Sequence, residues 1–134
     1  MTIRARNRIL IAGAIIGMAA LAVTLLPMIA SSGRDDVREI RLVVRNMTFY
    51  VEGEMEPNPT LTVRAGEQVR LVLRNDQPGM RHDFAVQAWE VGTRMLEDRG
   101  EADTVTFRVP DGRGEHVYEC TPHSQMMRGT IRVE

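Results

Sequence analysis

The residues best suited to chemistry lie close together near the carboxyl end of the sequence. Cys120 is the only cysteine, and His123, Met126 and Met127 follow it within seven positions. A thiolate, an imidazole and a thioether are the ligand types of a mononuclear copper site for electron transfer. Such a site also needs a second imidazole. His82 is the candidate, because it follows a Pro-Gly turn and should open a strand at one end of a sheet.

The amino-terminal segment predicts a membrane crossing. Three arginines precede residues 9–30, a run of 22 residues without a charge. At about 1.5 Å per residue this run crosses a bilayer, and the arginines favour an amino end inside and a folded domain outside. Its length exceeds that of the apolar region of an ordinary signal peptide, so we favour a retained anchor. Cleavage near the small residues Ala30, Ser31 and Ser32 is the alternative.

Length and charge limit what the rest of the chain can be. Residues 1–32 are interpreted as the membrane anchor or signal segment, and residues 33–134 as one extracytoplasmic domain. That domain carries 14 arginines, no lysine and 18 acidic residues, a formal charge of −4. The acidic balance argues against nucleic acid as a partner, and the dispersed charges indicate a solvated surface. With no second cysteine for an internal disulfide and no sign of obligate assembly, we expect a monomer.

Alternating, β-rich runs separated by turn signals predict an all-β domain of about eight strands. Their spacing is typical of an antiparallel Greek-key sandwich. Residues 88–102 form a long connection, with room for a short helical turn around Met95 and Leu96. The predicted strands are residues 37–46, 47–51, 60–63, 68–74, 82–86, 104–109, 116–120 and 129–133.

Strand phase predicts how the carboxyl-terminal ligands meet. Because side chains alternate along a strand, His116, Tyr118 and Cys120 share one face, which we expect to be the interior. The loop after Cys120 can then return His123 and a methionine to the same centre. His116 is interpreted as a packed or partly exposed core residue and not as a ligand.

From about Val37 to Glu134 the sequence resembles the cupredoxin family of blue (type 1) copper proteins, which includes plastocyanin, amicyanin, pseudoazurin and azurin. Residues 120–123, Cys-Thr-Pro-His, are similar to amicyanin and pseudoazurin. Residues 123–130 are similar to the azurin ending, in which a methionine precedes a basic residue and a glycine. The resemblance therefore implies Met127 as the axial ligand, with Met126 as its neighbour. Residues 61–63, 65–67 and 69–73 and Asn75 also follow the family pattern.

The ligand set implied is one copper ion held by His82, Cys120, His123 and Met127, cycling between Cu(I) and Cu(II). This predicts a one-electron carrier and no enzyme. Binuclear copper centres need two cysteines, and nitrite reductases and multicopper oxidases need further histidines, whereas this chain has three histidines in all. The alternative is a protein that binds and delivers copper outside the cytoplasm, using methionines near the site.

The resemblance also implies where electrons leave. His123 is the expected exit, inside a small apolar patch for which Met80, Pro122 and Met126 are the candidates. The partners expected are extracytoplasmic or membrane-bound redox proteins, such as a cytochrome or a terminal oxidase. Retention of residues 9–30 in the membrane would raise the effective concentration of the domain near them.

One residue departs from the family pattern. Asp83 follows His82 where the family commonly has asparagine. An ionised aspartate accepts hydrogen bonds, here from the Thr121 hydroxyl or from backbone N–H groups, but it cannot donate. We expect Asp83 to tie the two ligand loops together and to lower the reduction potential. Arg81 and Arg128 are expected to offset part of its charge.

Overall fold

The computed structural model describes residues 37–134, which form strands and two short 3-10 turns. The all-β prediction is confirmed over these residues. The 3-10 turns are Gln87–Trp89 and Thr121–His123. The strands are β1 (Arg38–Arg45), β2 (Thr48–Val51), β3 (Leu61–Val63), β4 (Gln68–Asn75), β5 (Ala85–Val86), β6 (Val91–Gly92), β7 (Ala102–Arg108), β8 (Gly114–Glu119) and β9 (Arg128–Val133).

The strands form two sheets, ordered β2-β1-β4-β7 and β3-β9-β8-β5-β6. The prediction of purely antiparallel pairing is wrong for two neighbours, since β1 with β4 and β3 with β9 run parallel. The chain leaves the first sheet after β2, passes through β3 in the second sheet and returns as β4. This detour lets β4 run in the same direction as β1.

The connection at residues 88–102, which the structure describes in full, has no helical turn around Met95 and Leu96, although its length left room for one there. Leu96 instead pairs with His82 in an isolated β-bridge. The turn of this connection lies earlier, at Gln87–Trp89, and ends at Glu90 in the left-handed region (φ 53°).

Inward-facing residues of both sheets build one hydrophobic cluster. Leu71 and Leu73 of β4 and Ile131 of β9 are among its members, as the alternation of buried and exposed positions along each strand requires. The rings of Phe49 and Phe84 pack against Tyr118, each with its centroid 5.4 Å from the Tyr118 centroid. Cys120 and Met127 belong to the same cluster, so the core reaches the predicted ligands.

Among residues 37–134 no helix is long and apolar enough to span a bilayer. The predicted anchor at residues 9–30, and with it the predicted boundary between residues 32 and 33, lies outside the described residues.

Gly129 in β9 leaves space that the Tyr118 ring occupies, because a Cβ at position 129 would overlap that ring. The ring is held by its aromatic neighbours and by its hydroxyl, which donates to the Pro59 carbonyl oxygen at 2.6 Å. We therefore expect Gly129→Ala to lower the free energy of unfolding by about 2–3 kcal/mol, measured by urea denaturation. Gly112→Ala is the control, since a Cβ there meets no atom within 4 Å. Equal stability of the two variants would contradict this packing argument.

Candidate metal centre

His82 is fixed by a reciprocal backbone pair with Leu96. The His82 N–H donates to the Leu96 carbonyl oxygen at 2.9 Å, and the Leu96 N–H donates back at 2.7 Å. The strand predicted to start at His82 begins only at Ala85, because the Phe84 N–H bonds the Thr93 hydroxyl at 3.0 Å and not a neighbouring strand. His82 therefore lies on a short bridge just before β5, with its side chain fully buried.

Cys120 follows the last residue of β8, and the loop after it closes on itself through backbone hydrogen bonds. The Cys120 N–H donates to the Met127 carbonyl oxygen at 2.9 Å. The His123 carbonyl oxygen accepts from the Met127 N–H, also at 2.9 Å. Pro122 lies in the first turn of the 3-10 segment, where its fixed φ suits the helix and no donor is lost. The loop thus brings His123 and Met127 back to Cys120.

The predicted imidazoles and thiol converge. The Cys120 Sγ lies 3.6 Å from His82 Nδ1 and 3.5 Å from His123 Nδ1. One ligand atom from each of the three residues lies within 4.8 Å of the other two. A metal ion that holds a sulfur at about 2.3 Å and a nitrogen at about 2.0 Å in a trigonal arrangement separates them by about 3.7 Å, close to both observed distances. The residues present therefore fit a bound metal ion.

The two adjacent methionines differ in their surroundings. Met127 is fully buried in the cluster that contains Cys120, whereas the side chain of Met126 is 59% exposed. Burial therefore favours Met127 over Met126 as the methionine that completes the site.

Burial sets the protonation of the ligands in the metal-free protein. Burial raises the pKa of the Cys120 thiol to about 11, and the N–H of Asp83 opposes part of this shift. Burial is the main reason that the pKa of His82 is lowered to about 4, and the charge of His123 is the second. The charge of Asp83 acts in the opposite direction. At neutral pH the thiol is protonated and His82 is neutral, so metal uptake must release the thiol proton.

The lowered pKa of His82 predicts acid sensitivity of the metal-free protein. Between its ordinary value of 6.5 and about 4, the imidazole is protonated in the unfolded chain but neutral in the folded one. The contribution of His82 to the free energy of unfolding is therefore fully present above pH 6.5. We expect the free energy of unfolding to fall by up to about 3 kcal/mol as the pH falls to 4. Urea denaturation at several pH values measures it.

His82→Gln is the control for this pH dependence, because glutamine does not titrate. Asp98 and Glu101 have lowered pKa values. The stability that these carboxylates contribute is therefore lost at a more acidic pH than most of the range in which His82 acts. If the glutamine variant loses stability with the same slope between pH 6.5 and 4, another group is responsible.

Asp83 connects the two halves of the site. Its Oδ1 accepts a hydrogen bond from the Thr121 N–H at 2.6 Å, and its side chain is 8% exposed. The predicted tie between the ligand loops is confirmed, through the backbone amide of Thr121. Nε of the exposed Arg81 lies 3.9 Å from Oε2 of Glu97, whose carboxylate balances part of the charge of the arginine. Arg128 is exposed as well.

The surface beside His123 is small and partly apolar. His123 is half-buried and lines a shallow depression with Pro122, Ser124, Gln125 and Met126. Met80, the third patch candidate, does not line this depression.

His116 lies apart from the ligand group and packs against Trp89, with ring centroids 4.9 Å apart, as expected of a packing residue.

Asn75 follows the family pattern, but its role beside the site was not predicted from the sequence. It is fully buried at the end of β4, where its Nδ2 donates to the Met80 carbonyl oxygen at 2.8 Å and its Oδ1 accepts from the Gln77 N–H at 2.9 Å. These bonds shape the turn that leads to His82. An asparagine three positions before the Pro78-Gly79 pair was the available signal, since its side chain closes such turns.

Comparison with protein families shows what this site is. The model for copper-binding proteins of the plastocyanin/azurin family matches residues 50–134, more than half of the chain. The chain belongs to this family. His82, Cys120 and His123 converge as three ligands of a type 1 copper site would, with Met127 buried in the same cluster as Cys120, so the copper cofactor predicted from the sequence is confirmed at the level of the family.

Several solved structures share the fold. An auracyanin from the photosynthetic bacterium Roseiflexus castenholzii is 19% identical, with a TM-score of 0.59 over 72% of this chain and 96% of the other. Auracyanin A from Chloroflexus aurantiacus, a "blue" copper protein, is 19% identical, with a TM-score of 0.57 over 72% and 98%. Rusticyanin from Thiobacillus ferrooxidans is 22% identical, with a TM-score of 0.55 over 72% and 76%. Comparison with curated protein sequences gives no significant match.

Proposed function

We propose that this protein is an extracytoplasmic one-electron carrier, with copper held by His82, Cys120 and His123 and by Met127 as the axial ligand. The convergence of a buried thiol with two imidazole nitrogens within 4.8 Å carries the proposal. The burial of Met127, against the exposure of Met126, supports the axial assignment. When bound, copper supplies reversible exchange between Cu(I) and Cu(II).

The chain supplies a rigid and dry ligand frame. His82 and Cys120 are fully buried, and backbone hydrogen bonds fix both of their neighbourhoods. Ligands held in this way need little rearrangement when an electron arrives or leaves. His123 is half-buried beside exposed Pro122 and Met126, so its ring is the proposed exit. A small patch of this kind suits brief docking to a redox partner.

The location and partners proposed rest on the sequence. Residues 9–30 would hold the domain at the outer face of the cytoplasmic membrane, or would be removed as a signal to release it. The proposed redox partners are a cytochrome or a terminal oxidase. The protein itself is proposed to act as a monomer. The proposal includes no catalytic activity, because a second copper centre would need more histidines than the chain has.

Delivery of copper is the second candidate function. The exposed thioether of Met126 beside His123 favours it, since thioethers are soft ligands that suit Cu(I). A carrier of electrons retains its metal in both oxidation states, whereas a delivery protein releases Cu(I) to an acceptor.

Optical and paramagnetic-resonance spectra of the protein loaded with Cu(II) test the proposal. We expect an intense thiolate charge-transfer band that disappears on reduction and returns on reoxidation, without loss of copper to an added Cu(I) chelator. A colourless protein that passes Cu(I) to the chelator would replace electron transfer with metal delivery.

A further inference from the structure

A strained residue lies against the loop that carries the ligands. Asn58, between Pro57 and Pro59, has φ 46° in the left-handed region. A residue before proline is restricted to extended conformations, and a left-handed conformation without glycine costs about 1–3 kcal/mol. Such a conformation persists only where the surrounding structure imposes it.

Three hydrogen bonds impose it here. The Asn58 N–H donates to the Phe49 carbonyl oxygen at 2.8 Å, and Asn58 Oδ1 accepts from the Phe49 N–H at 3.1 Å. Its Nδ2 donates to the Met126 carbonyl oxygen at 3.2 Å. The Asn58 amide donates through Nδ2 and accepts through Oδ1. Because its two partners are an acceptor and a donor, the bonds also fix which way the amide group points. Asn58 therefore links β2 to the ligand loop.

The bond to Met126 acts next to the axial ligand. The Met126 carbonyl belongs to the peptide that carries the Met127 N–H, and this N–H donates to the His123 carbonyl oxygen. The following residue, Pro59, is tied to β8 because its carbonyl oxygen accepts from the buried Tyr118 hydroxyl. The segment containing Asn58 thus contacts both the loop and the strand that leads into it.

We propose that Asn58 is a positioning residue that holds the ligand loop in its metal-binding conformation before the metal arrives. The inference rests on the proposed copper site, because it assigns a role toward that site. Its expected consequence is twofold: the loop of the metal-free protein is protected from local opening, and copper is bound more tightly.

The decisive variant is Asn58→Asp in the full-length protein. Aspartate tolerates the left-handed conformation and keeps the acceptor for the Phe49 N–H, but it cannot donate to the Met126 carbonyl oxygen. In the metal-free protein we expect hydrogen exchange at the Met127 and Cys120 amides to accelerate about tenfold, with the amides of β1 and β4 unchanged. In the loaded protein we expect about tenfold weaker copper binding.

Asn46→Asp is the matched control. Asn46 is exposed, also has a positive φ (50°), and its side chain makes no hydrogen bond to any residue from 37 to 134. The Asn46→Asp substitution adds the same negative charge as Asn58→Asp but removes no side-chain hydrogen bond. Asn58→Gly, which relieves the backbone strain and adds no charge, is the second variant if the aspartate variant does not fold. It should give the same local acceleration.

Three outcomes overturn the proposal. The first is exchange at Met127 and Cys120 equal to that of the Asn46→Asp control. The second is acceleration of all amides together, which would mean a general loss of stability. The third is weaker copper binding in both aspartate variants, which would mean an effect of charge. If the unaltered protein binds no copper, the proposed function fails, whereas the exchange measured without metal still decides whether Asn58 holds the loop.

Discussion

Replacing Cys120 with serine is expected to abolish the thiolate charge-transfer band completely. The Cys120 sulfur lies between His82 Nδ1 and His123 Nδ1, at 3.6 and 3.5 Å, and is fully buried. A serine hydroxyl fits this space but is a harder ligand that keeps its proton at neutral pH. Copper binding should weaken by more than the roughly 10–100-fold that loss of an outer partner costs. Optical titration with Cu(II) measures both effects.

The histidines provide matched controls for this result. His82→Asn should remove the copper spectrum, whereas His116→Asn should keep it, because His116 packs against Trp89 and lies outside the ligand group. Denaturation of each metal-free variant separates loss of a ligand from loss of the fold. A band that persists in Cys120→Ser would show that the sulfur is not a ligand.

The thiol and the two imidazoles that converge were predictable because local patterns place them, whereas the choice of Met127 rested on the family resemblance. Alternation along β8, continued to the next residue, places Tyr118 and Cys120 on the buried face, and both are fully buried. The three-residue spacing of Cys120 and His123 matches one turn of the 3-10 segment that joins them. The position of His82 followed from the turn before it, even though its strand begins three residues later than predicted.

What could not be predicted depends on contacts between distant parts of the chain. Alternation shows which residues of a strand are buried but not which strand lies beside it, and the parallel pairing of β1 with β4 was therefore missed. The bond from Asn58 to Met126 joins residues 68 positions apart. Its local signature, an asparagine between two prolines, indicates a turn and does not reveal what the turn contacts.

Replacing Asp83 with asparagine is expected to raise the reduction potential by about 50–100 mV. A negative charge near the metal stabilises Cu(II) over Cu(I), so its removal favours the reduced form. A unit charge about 7 Å away contributes roughly 2 kcal/mol at an effective dielectric constant of about 20, close to 100 mV for one electron. Asp83 is nearly buried, which limits screening by salt. A spectroelectrochemical titration measures the potential.

The asparagine variant isolates the charge, because its Oδ1 can still accept the Thr121 N–H that Asp83 Oδ1 accepts at 2.6 Å. Asp98→Asn is the control: that carboxylate also accepts a backbone N–H, from Gly79 at 2.9 Å, but it is exposed. Solvent screens its charge, so the same substitution there should change the potential little. Equal potentials for Asp83→Asn and the unaltered protein would mean that Asp83 only joins the loops. A rise confined to position 83 would identify it as the charge that tunes the site.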